Sequence, residues 1–103
     1  AEIGGANAFT ALLAAAKSGL PVLDADMIGR AFPMLQMSSC YLNQRKATPA
    51  FMVDCLGNRL VIETHDAITL ENIARSVTVA VGSSCLIAFY LMRGVEVLGS
   101  VVE

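Results

Sequence analysis

Apolar positions recur along the chain in two different periods, and the change from one to the other sets out its elements. Phe9, Leu12, Leu13 and Ala16 fall at i, i+3, i+4 and i+7, one stripe of a helix that can lie on a sheet. Asn7 is its expected N-cap, Lys17 stands in its last turn, Gly19 suits the residue after its end, and Pro21 forbids continuation. Before it, Glu2-Ile3 reads as the end of a strand and Gly4-Gly5 as a sharp turn; after it, Pro21-Val22-Leu23 reads as a short buried strand. Strand, glycine turn, helix and strand make a βαβ crossover. That order predicts a parallel pair with Gly4-Gly5 and Asp24 at the same sheet edge.

Gly29, Phe32 and Pro33 read as loop, and Met34 to Leu42 as a short helix using Met34, Leu35, Met37 and Tyr41 for contacts. Phe51-Met52-Val53 and Leu60-Val61-Ile62 flank Gly57-Asn58 and predict a hairpin. Thr69 is the expected cap of a second helix with Glu71 in its first turn and a stripe of Leu70, Ile73, Ala74, Val77 and Val81. Beyond Gly82, Cys85 to Met92 predicts a strand buried on both faces, and Val95-Glu96-Val97 a further short one. The fold expected is α/β: a layered, partly parallel sheet with helices packed on it, one βαβ crossover and one hairpin.

Composition sharpens this in three ways. The 103 residues suffice for a single domain spanning 1–103, and 55% of them are apolar, high for a domain of this size. Together with ends that start and stop in apolar sequence, this suggests a fragment of a longer two-domain protein, a homo-oligomer, or association with a missing remainder. A net charge of −2 with seven scattered basic residues argues against nucleic acid or an anionic membrane surface as partner. The uncharged run from Ser76 to Met92 is interrupted by Gly82-Ser83-Ser84, so a membrane span is not expected. Cys40, Cys55 and Cys85 are too far apart for a zinc knuckle and read as reduced, buried thiols of a cytoplasmic protein.

Three places can carry chemistry. Asp24 and Asp26, two apart in extended chain, point into one space and repel unless a cation, a shared proton or a basic side chain intervenes; Arg30 is near enough to be that partner. They are either a site or a structural cluster pinning the loop. Gly4-Gly5 can offer backbone N–H groups to an anionic or carbonyl oxygen, or simply turn the chain. Glu63 and His65 share a strand face, a weak metal pair that more simply reads as a solvated strand end.

Two ordered stretches carry a family likeness. Glu2-Ile-Gly-Gly-Ala-Asn-Ala8 and Leu20-Pro-Val-Leu-Asp-Ala-Asp-Met-Ile-Gly-Arg-Ala-Phe-Pro-Met-Leu-Gln-Met37 resemble the S-methyl thiohydantoin desulfurase-like, or hydantoin-utilisation, family. Asp54-Cys-Leu-Gly-Asn-Arg59, Leu70-Glu-Asn-Ile-Ala-Arg75 and Met92-Arg-Gly-Val-Glu96 fit it more loosely. The resemblance implies the N-terminal α/β domain of a longer chain, its Gly-Gly-Ala-Asn turn and Asp-Ala-Asp loop lining a cleft for hydantoin-like rings. It also implies a hydrolase that removes sulfur from such a ring. In that chemistry Asp24 and Asp26 serve as base or as ligands of a divalent metal ion. Gly4, Gly5, Asn7 and Arg30 hold the substrate, with His65 a weak further metal ligand. The other class of function is a non-catalytic binding or assembly module that partners a hydantoinase- or oxoprolinase-type enzyme.

Overall fold

A computed structural model of the chain describes residues 7–25 and 34–98. Helix α1 (Asn7–Ser18) is followed by a 3-10 turn (Leu35–Met37), α2 (Ser39–Leu42), β1 (Ala50–Val53), β2 (Arg59–Ile62), α3 (Ala67–Ala80), β3 (Leu86–Ala88) and α4 (Gly94–Val97). The strands form one three-stranded sheet in the order β2-β1-β3. Both pairings are antiparallel, with Phe51 opposite Val61 on one side and Ala88 on the other.

The hairpin is present, but the parallel pair expected from the first third of the chain is not. Every strand pairing among the described residues is antiparallel. Glu2-Ile3 and Gly4-Gly5 lie outside the described residues, and Pro21-Val22-Leu23 runs as exposed, unassigned backbone rather than as a strand. Pro21 has no N–H to give a ladder, and the central position is taken by β1, which already has a neighbour on each side. The fold is therefore mixed α/β with a small antiparallel sheet, and the predicted βαβ crossover is corrected to that extent.

Local boundaries moved for identifiable reasons. Asn7 is the first helical residue of α1 rather than the residue before it. At the other end, Gly19 adopts φ +73° and its N–H reaches the Ala15 carbonyl at 2.9 Å, a left-handed helix stop. The expected helix over Met34 to Leu42 is broken at Ser38, whose backbone is extended and whose Oγ accepts the N–H of Tyr41. Asp66, not Thr69, caps α3: its Oδ1 accepts the Thr69 N–H at 2.6 Å. The helix starts earlier than expected, which moves Glu71 beyond the first turn.

Helix α3 ends as Gly82 implies. Gly82 has φ +97°, and its N–H and that of Ser83 bond the carbonyls of Val79 and Thr78, the paired bonds of a Schellman stop. Strand β3 is short and lies at the sheet edge with only alternate burial, so the expected strand buried on both faces is corrected. Val95-Glu96-Val97 is helical rather than extended, because Glu96 Oε2 accepts the Arg93 N–H at 2.7 Å and starts a turn. No described helix is long and apolar enough to cross a membrane.

The core lies between α3 and the inner face of the sheet. Leu70 is fully buried there, with Ala50, Met52, Ile62, Ala67, Ala74, Ala47, Cys40 and Tyr90. Tyr90 donates its hydroxyl to the Leu35 carbonyl while the Leu35 N–H bonds Glu71 Oε2 at 2.9 Å, so both backbone groups of Leu35 fasten the 3-10 turn to this core. Helix α1 takes no part: Phe9, Leu12 and Leu13 are all exposed, Phe9 by 72%.

That division predicts unequal costs. Leu70→Ala should lose about 3 kcal/mol through cavity formation, whereas Leu12→Ala should change stability by under about 0.5 kcal/mol because its side chain already faces water. Urea denaturation of the two variants measures both.

Candidate functional site

Of the residues singled out for chemistry, Gly4, Gly5, Asp26 and Arg30 lie outside the described residues. Asn7 is exposed at the start of α1, and Asp24 is exposed near the end of the extended segment that follows Gly19. The pairing of Asp24 with Asp26 therefore also lies outside. His65 is 97% exposed in its side chain, with Nδ1 3.5 Å from Asp66 Oδ2. Strand β2 ends at Ile62, so Glu63 and His65 do not sit on a strand face. Among the described residues no three His, Cys, Asp or Glu side chains converge on a point where a metal ion would sit.

A concavity among the described residues lies elsewhere. A cleft of about 650 Å³ opens between α3, the 3-10 turn and the inner side of the sheet. Met34, Met52, Ile87 and Phe89 give it apolar walls. Its polar groups are mostly engaged. Glu71 accepts the Leu35 N–H through Oε2 and Arg75 Nε, at 2.6 Å, through Oε1, so this carboxylate ties two elements together. The Thr78 hydroxyl donates its one proton to the Ala74 carbonyl at 2.7 Å. Its oxygen, 3.2 Å from Cys85 Sγ, is then left to accept the thiol proton. The cleft is thus largely apolar in its walls, and the Glu71 carboxylate in its lining is tied to the Leu35 N–H and to Arg75.

The expectation of three buried thiols is corrected. Cys40 is buried, and burial pushes its thiol up from the usual range. Cys85 is half-buried, while Cys55 is exposed in the hairpin loop. None of the three forms a disulfide.

Two carboxylates escaped notice because their work is structural. Asp54, 8% exposed, stands at the mouth of the five-residue hairpin loop. Its Oδ1 accepts the N–H groups of Leu56 and Asn58, and its Oδ2 the Asn58 side-chain amide at 2.6 Å. That network, with the Asn58 side chain foremost, holds the Asp54 carboxyl below its usual range. The Thr69 N–H does the same for Asp66. The signals were present: an aspartate opening a Gly-Asn turn, and an aspartate just before an apolar helical run.

With this geometry in place, the comparisons define the class. Residues 1–64 match the S-Me-THD-like, N-terminal domain family, which is more than half of the 103 residues, and the chain belongs to that family. A crystal structure of a protein from Chromobacterium violaceum, a structural genomics target, is similar with a TM-score of 0.75 and 28% identity. The similarity covers 86% of this chain and 26% of that one, so this chain spans about a quarter of that protein's length. No curated protein matches.

Two outcomes follow. Maleimide should modify Cys55 first, Cys85 more slowly and Cys40 only on unfolding, as read by peptide mass spectrometry; early labelling of Cys40 would contradict its burial. Because Asp54 and Asp66 have depressed folded values, their contribution is present above the unfolded carboxylate value of about 3.9 and is lost as pH falls through the folded values. Asp54→Ala should therefore be less stable than the parent chain at neutral pH, with the gap closing in acid, as followed by denaturant midpoints.

Proposed function

We propose that this chain is the N-terminal domain of a protein that acts on hydantoin-type rings, and that the longer protein hydrolyses sulfur from a thiohydantoin-like substrate. The observation that carries this reading is the family match itself: residues 1–64 contain every residue of the Gly4-Gly5 turn and the Asp24-to-Arg30 loop. Water attacks the electrophilic ring carbon and a thiol leaves. Water is a weak nucleophile at neutral pH, so the step needs a carboxylate base or a divalent cation that acidifies bound water. Asp26 and Asp24 take one of these roles. Arg30 holds a ring carbonyl or a substrate carboxylate, Asn7 contributes a polar contact, and the N–H groups of Gly4-Gly5 face the developing negative charge.

A second reading is favoured by a separate observation. An assembly module that partners a hydantoinase-type enzyme would need broad apolar contact surface. The exposed Phe9, Leu12 and Leu13 on α1 supply it.

The two readings part on one variant. In the full-length protein carrying this domain, Asp26→Asn should cut turnover of a thiohydantoin by at least about a hundredfold, within the range general-base contributions span, while the unfolding midpoint stays put. Normal turnover would remove the catalytic assignment, and loss of the fold would mark the aspartates as structural. Bound metal measured on parent and variant separates ligand from base, since only the loss of a ligand lowers it.

A further inference from the structure

The sheet is apolar on both faces. Antiparallel sheets that face water on one side alternate apolar and polar residues along each strand. Here Ala50, Met52 and Ile62 point to the core, yet the residues between them are apolar too. Phe51 and Val53 on β1 are exposed, as are Val61 on β2 and Leu86 and Ala88 on β3. The register lines them up in rows: Val61, Phe51 and Ala88 cross the three strands side by side, and Arg59, Val53 and Leu86 form the next row. Such a continuous apolar face on a central strand is a liability in water. Helix α1 does not cover it, since Phe9, Leu12 and Leu13 are themselves exposed.

The length of the similar C. violaceum chain bears on what does. It carries this fold as 26% of a much longer chain, leaving roughly three-quarters of the polypeptide to supply a second layer on the sheet. We infer that the outer face of the sheet, centred on Phe51, Val61 and Ala88, is an intramolecular docking surface, seated by an apolar layer of further chain. This rests on the chain being one domain of a longer protein and not on which reaction that protein performs.

The test compares the 1–103 chain with the full-length protein, each carrying Ala88→Cys or Val61→Cys in a Cys55→Ser background. Maleimide labelling of the new thiol is followed by peptide mass spectrometry across a hundredfold range of protein concentration. In the 1–103 chain both sites should label rapidly. In the full-length protein both should label at least tenfold more slowly at every concentration. Equal rates in the two proteins would overturn the inference, as would slow labelling in the short chain. Protection that disappears on dilution would overturn it in favour of a second copy as the occupant. Because no turnover is measured, failure here leaves the Asp26→Asn result standing, and failure of Asp26→Asn leaves this result standing.

Discussion

Leu70 is the contact through which helix and sheet become one body. It is fully buried in α3, in one cluster with Ala50 and Met52 of β1, Ile62 of β2, Cys40 of α2 and Tyr90 beyond β3. Burying a leucine side chain contributes on the order of 2 kcal/mol, a large share for a core this thin. Among the described residues Ala47, Ala50, Ala67 and Ala74 make up four of the nine buried apolar residues, and each brings a single methyl group. Hydrogen bonds then fix what this small core leaves loose. Tyr90 and Glu71 hold the two backbone groups of Leu35, Asp54 closes the hairpin, and Asp66 begins α3.

The consequence is an uneven molecule. The central β1, with a strand on either side and α3 below, has its inner residues in the core and its outer ones in water. Helix α1 has a sound C-terminal stop of its own, at Lys17 and Gly19, but its apolar stripe is exposed. A 12-residue helix is marginal alone, so burial of that stripe is what would make α1 firm. Under the inference drawn above, the outer sheet face is covered by further chain, while the α1 stripe is exposed among the described residues.

What could be read in advance followed local chemistry. The α1 stripe and its glycine stop, the hairpin, the helix carrying Leu70 and Ala74, and the break at Gly82 all rest on periodicity or on glycines that take positive φ. The errors came where a pattern suits two structures. Pro21-Val22-Leu23 has the composition of a buried strand, but pairing depends on partners that lie elsewhere in the chain. Val95-Glu96-Val97 alternates like a strand, yet Glu96 folding back to the Arg93 N–H makes a turn. Cys85 to Met92 is apolar enough for a strand buried on both faces, and an edge position leaves one face open. At the candidate site, the family likeness was legible in Asp24 and its flanking loop, whereas the cleft beside Thr78 and Cys85 was not, because α3 and β3 meet only through the tertiary fold.

The central claim, a firm unit built on Leu70 with α1 outside it, is tested most directly by hydrogen–deuterium exchange of the 1–103 chain. The account predicts the slowest amides in Ala50–Val53 and in the middle of Ala67–Ala80, with those of Asn7–Ser18 exchanging far faster. Protection of α1 equal to that of β1 would contradict it.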